Sequence, residues 1–374
     1  MSIQQILFLG RHELLDSYIA DSSLKNEVCV FQNAKNPLSP SGSFTYVPVE
    51  YGFFFLSKIL RFFNSGITVP TYIKNFTKLA TELKPDKIIC LDYYLFSTWQ
   101  AIQHKKKNLD ANVYVYSETK RWPKNIFTRA TMKLFFWRFN KNIKHVDQIL
   151  VWTEQGKQWF VNNLPEANIS LVPAPVNTAL FVQNRQKLFL ENRTLKIICN
   201  ARYSSYKRHQ DLFAAVSKLI ANGWKIQVTC IGRSDSGRQK VEKMAQQSGV
   251  CEVVTFLDPV PQAELVKLYN SHDVLVLPSY NEAIGMVVPE AMACGIPTIT
   301  SDTVGANVYV REGETGLIYT TGDVPELVQA LDTLFDRSLL ERMGAAAEQT
   351  IQESFTLQKC QERFRVALGL SDLA

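Results

Sequence analysis

Short apolar runs rich in β-branched residues alternate along most of the chain with longer segments of helical periodicity. This alternation is typical of βα units and predicts an α/β fold with parallel sheets. The units form two series, separated by residues 173–186, where both periodicities are lost. Because 374 residues exceed what one hydrophobic core usually accommodates, each series is expected to form its own domain.

The first domain is predicted to span residues 1–178, joined by a C-terminal helix at 355–374. Its Pro-, Gly- and Ser-containing stretch 33–50 is expected to be a loop. Its predicted strands and helices lie at the following residues: strands 6–9, 87–91, 113–116 and 148–152; helices near 70–84 and 124–144.

The second domain, 179–354, has the clearer pattern. Its strands are predicted at 196–200, 225–231, 253–257, 274–277 and 298–300. Helices are predicted near 208–221, 236–247, 261–270, 286–294, 324–336 and 338–351, and the C-terminal helix near 356–368.

Basic residues are concentrated in the first half of the chain. Residues 1–180 contain 21 Lys and Arg against 13 Asp and Glu, and the segment 119–146 has eight Lys or Arg and six Phe or Trp but no carboxylate. In a helix over 124–144, one face would hold Met132, Phe135, Phe136, Phe139 and Ile143, and the other Arg129, Lys133, Trp137 and Lys144.

Two interpretations of segment 119–146 stay open. The helix could face the core with a solvated cationic back, or it could attach to an anionic membrane surface. Residues 51–63 have a similar character and could belong to the same surface or to the core. No recognised nucleic-acid-binding module is present, so a nucleic-acid partner is not expected.

The cysteines and the apolar segments indicate in which cellular compartment the protein is expected. The seven cysteines are scattered singly without a CxxC pair, which favours free thiols in a reducing compartment over a disulfide framework or zinc cluster. No apolar run is long enough to span a membrane, and an acidic residue interrupts the N-terminal apolar stretch before it could form a signal peptide. The chain is therefore expected to be cytoplasmic.

Residues 274–302 have the clearest chemical meaning. An apolar strand is followed by a polar loop with Glu282 and Gly285 and by a short helix that ends at Gly295. A loop of this kind at the carboxyl end of a parallel strand directs backbone N–H groups and the positive end of the helix dipole toward an anion. Glu282 and Glu290 border the anion site, where carboxylates suit hydroxyl groups. The pattern indicates a phosphorylated sugar.

This segment resembles the E-x7-E signature of the family-four retaining glycosyltransferases (glycosyl transferases group 1), through Glu282, Gly285, Glu290, Ala291, Gly295 and Pro297. The family also has an Arg and a Lys five residues apart at the start of its second domain, and Arg202 and Lys207 have that spacing. Similarity extends over most of residues 195–340. The resemblance implies the GT-B architecture, in which two Rossmann-like domains face each other across a cleft.

The resemblance also implies a role for each matching residue. Arg202 and Lys207 would bind the donor pyrophosphate, Glu282 would contact the sugar hydroxyls, and Arg202, Lys207 and Glu282 together form the expected catalytic set. The remaining donor contacts are expected at Glu290 for the ribose, the backbone of Ile284, Gly285, Met286 and Val287 for phosphate or sugar oxygens, and Leu257 and Asp258 for the nucleobase.

In this family the departing diphosphate helps to deprotonate the acceptor hydroxyl on the same sugar face, so the configuration is retained. Cations that stabilise the departing phosphate then supply much of the rate. The resemblance, together with the lack of an Asp-x-Asp motif, implies a metal-independent reaction without a cofactor. The expected acceptor, bound by the first domain, is a saccharide or a lipid-linked saccharide.

Glu118 lies near the place where the family commonly has a His after an acceptor-side strand, so it is a candidate contact to the acceptor or to a sugar hydroxyl. The alternative is an exposed carboxylate beside Lys120 and Arg121. Two other functions stay open for the whole chain. One is a sugar-nucleotide epimerase of similar fold; the other is a catalytically silent nucleotide-sugar binding protein, suggested by the single Gly10 where the family commonly has a Gly-rich loop.

Overall fold

The computed structural model describes residues 6–9, 28–33, 45–49, 51–53, 71–107, 111–119, 122, 126–184, 194–233, 237–280 and 282–370. The chain divides into two compact units, which are Met1–Pro175 with Cys360–Ala374, and Val176–Lys359. Gly10, residues 54–63, Lys120 and Arg121, which carried some of the expectations above, lie outside the described residues.

The first unit contains the following strands and helices: β1 (Ile6–Leu9), β2 (Val28–Asn33), β3 (Thr45–Val49), β4 (Tyr51–Phe53), β5 (Thr71–Ile73), α1 (Phe76–Leu83), β6 (Lys87–Leu91), α2 (Phe96–Lys107), β7 (Asn112–Ser117), α3 (Ile126–Asn140), β8 (Gln148–Val151), α4 (Glu154–Asn163) and β9 (Ile169–Leu171). Seven of the described strands form a parallel sheet in the order β3-β2-β1-β6-β7-β8-β9. Its order reverses between β1 and β6, as in Rossmann-like sheets.

The second unit begins with β10 (Thr194–Asn200) and ends in α11 (Leu357–Ala367), which continues into the first unit. Between them lie α5 (His209–Ala221), β11 (Lys225–Ile231), α6 (Arg238–Gln247), β12 (Val254–Leu257), α7 (Gln262–Asn270), β13 (Val274–Leu277), α8 (Val287–Ala293), β14 (Thr298–Ser301), β15 (Gly316–Tyr319), α9 (Val324–Thr333) and α10 (Arg337–Ser354). The described strands form a parallel sheet in the order β12-β11-β10-β13-β14-β15.

The central strands of the second sheet are buried on both faces, because helices follow the strands in the chain and cover the sheet. All four residues of β13 and all four of β14 are buried. The continuous apolar run of β13, VLVL, is what made that strand recognisable in the sequence. The strand order places the carboxyl ends of β10 and β13 side by side, at the point where the order reverses.

Two predictions for the first unit are wrong. Residues 45–49, expected to be loop, form the strand β3, which accommodates Pro48 because it lies at the sheet edge and pairs only with β2 among the described strands. The helix expected near 70–84 begins only at Phe76, since 71–73 form β5. Asn75 between them has a left-handed φ of 56°, which ends the strand and turns the chain into α1.

Within the described residues, no helix combines the length and the apolar character needed to cross a bilayer. The predicted face of α3 packs inward: Phe136 and Phe139 are buried, and Met132 and Ile143 are packed against the same core. The core-facing interpretation is therefore correct for this side of the helix.

Candidate functional site

The candidate site lies at the carboxyl edge of the second sheet, where the loop after β10 meets the loop after β13. The backbone N–H of Tyr280 donates a hydrogen bond of 2.6 Å to the carbonyl oxygen of Tyr206, which ties the two loops together. This contact joins the segment that contains Arg202 and Lys207 to the segment that contains Glu282. In a parallel sheet, the loops that follow neighbouring strands lie at the same edge of the sheet. The strand order therefore explains why these two loops are in contact.

Lys207 and Glu282 form the centre of this site. Lys207 closes a single 3-10 turn, Ser205–Lys207, and its backbone N–H donates to the Ser204 carbonyl oxygen at 3.0 Å. The side chain is almost completely buried, and its ammonium group donates to a carboxylate oxygen of Glu282 in an ion pair. A buried ammonium group needs such a partner, because an unpaired charge away from water is costly.

Burial, with a smaller contribution from repulsion by the nearby guanidinium of Arg202, lowers the pKa of Lys207 to about 8. Cys199, in its thiolate form, acts in the opposite direction on the Lys207 pKa, since a negative neighbour favours the ammonium form. Arg202 itself is exposed. The two cations predicted to bind a diphosphate are therefore close together, one held in place and one free to adjust.

The backbone around Glu282 is fixed by two features. Its carbonyl oxygen accepts a hydrogen bond from the Gly305 N–H at 3.0 Å. Gly285 has a φ of +81°, and a Cβ atom there would lie 3.0 Å from Glu282 Cγ and 3.2 Å from a Leu277 methyl carbon. Both the backbone conformation and the space therefore require glycine.

Residues Ile284–Val287 lead into α8, as predicted. Amide groups in the first turn of a helix have no acceptor within the helix and can donate to a ligand. Gly295, two residues after the last residue of α8, has the left-handed φ of 70° expected of a glycine after a helix. The predicted sequence of strand, loop, helix and strand is thus present in the structure.

Glu290 lies in the first turn of α8, where it faces α7. Its carboxylate is 3.5 Å from the hydroxyl of Tyr269, which also lies 3.3 Å from the side-chain amide of Asn200. Burial raises the pKa of Glu290 to about 7, although the Tyr269 hydrogen bond lowers it. The carboxyl group is thus placed to accept hydrogen bonds from hydroxyl groups.

The predicted nucleobase loop follows β12, two strands from β10. The Leu257 carbonyl oxygen lies 2.9 Å from the Tyr203 hydroxyl and accepts the Gly232 N–H at 3.1 Å, whereas Asp258 is exposed and bonds to Arg238 at 3.0 Å. With strands about 4.8 Å apart, the edge from β10 to β12 covers roughly 10 Å. Hydrogen bonds to the Leu257 carbonyl oxygen thus fix the position of the loop, and the Asp258 carboxylate accepts a hydrogen bond from Arg238.

Glu118 lies in the first unit, directly after β7, and is exposed. Glu118 was predicted to contact the acceptor. It lies beside Asp92, which the sequence analysis did not single out. Asp92 follows the neighbouring strand β6 with a positive φ of 51°, and its carboxylate accepts hydrogen bonds of 2.7 Å from both Ser117 and Tyr94. Burial raises the pKa of Asp92 to about 6, and repulsion from Glu118 adds to the rise.

A signal for Asp92 was present in the sequence, because it follows an apolar run just as Ser117 and Glu118 follow the next one. Carboxyl ends of adjacent parallel strands share one edge, so these polar residues had to meet once β6 and β7 were paired. The structure thus gathers two polar clusters. One contains Lys207 and Glu282 in the second unit, and the other contains Asp92 and Glu118 in the first.

Comparison with known proteins extends these observations. Residues 182–350 match the family model described as Glycosyl transferases group 1. A D-inositol 3-phosphate glycosyltransferase of Corynebacterium jeikeium (strain K411) is 31% identical over 222 residues, which are 55% of this chain and 53% of the relative. The matched segment thus spans about half the length of that relative.

Two solved structures share the fold over nearly the whole chain. Sucrose-phosphate synthase from Thermosynechococcus elongatus has a TM-score of 0.71 at 19% identity, with 98% of this chain and 100% of that chain covered. Anabaena HepE in complex with UDP and glucose also has a TM-score of 0.71, at 15% identity, with 98% and 100% covered. The likeness confirms the fold class predicted from the sequence, α/β of the GT-B type.

Proposed function

We propose that the protein transfers a sugar from a nucleotide-sugar donor to an acceptor hydroxyl group, because residues 182–350 match the family model described as Glycosyl transferases group 1. The observation that carries this proposal is the pairing of Lys207 with Glu282 at the start of α8. A cation and a carboxylate in contact offer one partner for phosphate oxygens and one for sugar hydroxyls. The similarity to a structure that holds UDP and glucose supports a donor of this class.

The donor would lie along the carboxyl edge of the second sheet. Lys207 and Arg202 neutralise the diphosphate, and the backbone amides of Ile284–Val287 donate to its oxygens or to those of the sugar. Glu290 accepts from the ribose hydroxyls, while the backbone near Leu257 and Asp258 borders the base. Each of these roles is the one that the resemblance to the family implies for the residue at that position, and the charge of Lys207, Arg202 and Glu290 is consistent with it.

The proposed reaction breaks the bond between the sugar anomeric carbon and the diphosphate oxygen. The acceptor oxygen bonds to the same carbon on the same face, and its proton passes to the departing diphosphate, so the configuration is retained. Lys207 stabilises the negative charge that develops on the diphosphate, which lowers the barrier without a side-chain base. Glu282 holds the Lys207 ammonium and contacts the sugar hydroxyls. Because two cations neutralise the phosphates, the proposed reaction is independent of metal and cofactor.

The proposed acceptor is a saccharide or lipid-linked saccharide in glycan biosynthesis, contacted by Glu118 of the first unit. The carboxylates of Glu118 and Asp92 give this cluster two acceptors for hydroxyl groups. Glu118→Gln should raise the KM for the acceptor and leave UDP binding unchanged, whereas Glu166→Gln, at an exposed position of the same unit, should change neither. An unaltered acceptor KM in Glu118→Gln would remove the residue from the proposal.

We also propose that the protein works on the cytoplasmic face of the cell membrane, held to anionic lipid through segment 119–146. Support comes from the outer side of α3, where Ile126, Phe127, Leu134 and Trp137 are more than half exposed beside Arg129 and Lys133. Anionic vesicles should retain the protein at low salt. Neutralising Lys133, Lys141 and Lys144 together should release it, and equal retention would contradict the proposal.

Turnover tests the proposed function directly. The purified chain is incubated with UDP-, GDP-, ADP- and dTDP-sugars in EDTA, with and without a membrane extract as acceptor source. We expect release of the nucleoside diphosphate that depends on the extract, and a product with the anomeric configuration of the donor. A changed sugar epimer would instead show an isomerase, and binding without any product would show a silent binding protein.

A further inference from the structure

Asp92, which directly follows β6, is held in place by its backbone. Its φ of 51° is left-handed, a conformation that non-glycine residues rarely adopt and that Asp and Asn adopt more readily than most. Its backbone N–H donates to the Tyr116 carbonyl oxygen at 2.8 Å, and its carbonyl oxygen accepts a hydrogen bond of 2.7 Å from the Thr98 hydroxyl. Asp92 is therefore connected to both β7 and α2.

The Asp92 carboxylate accepts hydrogen bonds from two segments of the chain. Its Oδ1 accepts from the Ser117 hydroxyl and its Oδ2 from the Tyr94 hydroxyl, both at 2.7 Å. The backbone N–H of Glu118 donates to the same carboxylate. A carboxylate has about four lone-pair positions, and these donors occupy most of them. Asp92 has little acceptor capacity left for a ligand, so it acts mainly through the residues that it holds.

Two of these donors belong to the segment that carries the exposed Glu118 side chain. Ser117 is buried, and its hydroxyl, which donates to Asp92, also accepts the backbone N–H of Thr119 at 3.2 Å. Glu118 and the residues on either side of it are thus all connected to one carboxylate. Hydrogen bonds to an ionised acceptor are roughly twice as strong as neutral ones. The charge on Asp92 therefore decides how firmly this segment is held.

We propose that Asp92 is a positioning residue of the acceptor site, whose carboxylate holds residues 117–119 so that Glu118 is ready to contact the acceptor hydroxyl groups. The inference rests on the proposed function, in which Glu118 binds the acceptor. Without this anchor, Glu118 would have to be ordered when the acceptor binds, and the entropy lost in that ordering would weaken binding. Loss of a binding interaction of this kind raises KM and leaves kcat nearly unchanged.

The charge on Asp92 makes this anchor depend on pH. Burial raises the pKa of Asp92 from 3.8 to about 6, repulsion from Glu118 adds to the rise, and the hydrogen bonds from Ser117 and Tyr94 oppose it. Among the described residues, the titratable side chains that act on Asp92 or feel its charge are Tyr93, Tyr94 and Glu118. Above pH 6 the charged carboxylate holds residues 117–119. As the pH falls through 6, the carboxylate is protonated and acceptor binding should weaken.

The acceptor KM and kcat, measured at saturating UDP-sugar with the membrane extract as acceptor source, test the role of Asp92. Asp92→Asn keeps the shape of the side chain and tolerates the left-handed backbone, but it carries no charge at any pH. At pH 7.5 we expect its acceptor KM to be about tenfold higher and its kcat to change by less than about twofold. The KM of the natural chain should approach that of the variant at pH 5, whereas the KM of Asp92→Asn should stay constant. Asp86→Asn, which removes an exposed carboxylate at the opposite end of β6, should follow the natural chain.

Tyr94→Phe separates this role from general support of the fold. It removes a donor to Asp92 that does not belong to residues 117–119, so its KM at pH 7.5 should rise less than that of Asp92→Asn. Because the Tyr94 hydrogen bond lowers the pKa of Asp92, its loss should move the midpoint of the KM profile above pH 6. Parallel KM profiles of Asp92→Asn and the natural chain, or an unmoved midpoint in Tyr94→Phe, would overturn the proposal.

Hydrogen exchange of the full chain, followed by mass spectrometry, tests the anchor without turnover. At pH 7.5, amides in peptides that contain residues 117–119 should exchange about tenfold faster in Asp92→Asn than in the natural chain. In the natural chain, their exchange should accelerate below pH 6 relative to the intrinsic rate at each pH. Equal exchange in both proteins would contradict the anchor. Lack of transfer by the natural chain would instead contradict the proposed function, so the two failures are distinct.

Discussion

The ammonium group of Lys207 forms an ion pair with the carboxylate of Glu282, although 75 positions separate them in the chain. The pair exists because β10 and β13 are neighbours in the sheet, which places their following loops together. Each residue limits the motion of the other, so the cation is already positioned before a diphosphate arrives. Such preorganisation avoids an ordering cost at the moment of reaction.

Removing either member of this pair should abolish most of the transfer activity. Lys207→Ala and Glu282→Ala are each expected to lower kcat by about 10²- to 10³-fold, the loss typical of one group that stabilises a developing charge. Initial rates with a UDP-sugar measure the effect, and circular dichroism checks the fold. Lys218→Ala, at an exposed position of α5, is the matched control and should keep full activity. Unchanged turnover in both site variants would remove the assignment.

Donor binding should weaken as the pH rises through the pKa of Lys207, which burial lowers to about 8. Below that pH the ammonium attracts the diphosphate, and above it the neutral amine does not. The Kd for UDP should therefore rise between pH 8 and 9.5, by up to roughly tenfold per pH unit. In Lys207→Arg the charge persists, so its Kd should stay nearly constant. Parallel pH profiles for the two proteins would contradict the role of Lys207.

Gly285→Ala should lower the transfer activity by more than its loss of stability explains. The added Cβ would lie 3.0 Å from Glu282 Cγ, in a backbone with φ +81°. Gly313→Ala offers a matched control, because Gly313 has φ +76° and its Cβ would meet nothing within 4 Å. Both should lose about 1 kcal/mol of stability from backbone strain. Only Gly285→Ala should displace Glu282 and lower kcat by about tenfold or more, and equal kcat values in both would contradict this.

The Glu290 carboxyl should make stability depend on pH. Burial raises its pKa from 4.5 to about 7, so the contribution to stability is fully present below pH 4.5 and is lost as the pH rises through 7. The change is at most about 3 kcal/mol. In thermal unfolding experiments, the stability of Glu290→Gln relative to that of the natural chain should increase between pH 5 and pH 8. The exposed Glu252→Gln serves as control, and a constant difference for Glu290→Gln would disprove the expected burial effect.

Much of the second unit was predictable from local patterns. The strands 225–231 and 274–277 have the predicted bounds, and the glycine that follows α8 has the predicted left-handed conformation. The first unit was harder to predict. The strand at 45–49 contains Pro48, which local rules assign to loops, and only its place at a sheet edge makes it tolerable.

The sequence alone determined the fold class, the alternation of elements and the residue types that suit a phosphorylated sugar, because these follow from periodicity, turn chemistry and charge within short windows. Only the tertiary structure decided which of those residues meet. Lys207 contacts Glu282, and Asp92 contacts Ser117, because strand order brings distant loops to one edge. Ile126 and Phe127 are apolar and would be expected to be buried, yet both are exposed. Which side chains of a helix are buried depends on the surface against which the helix packs.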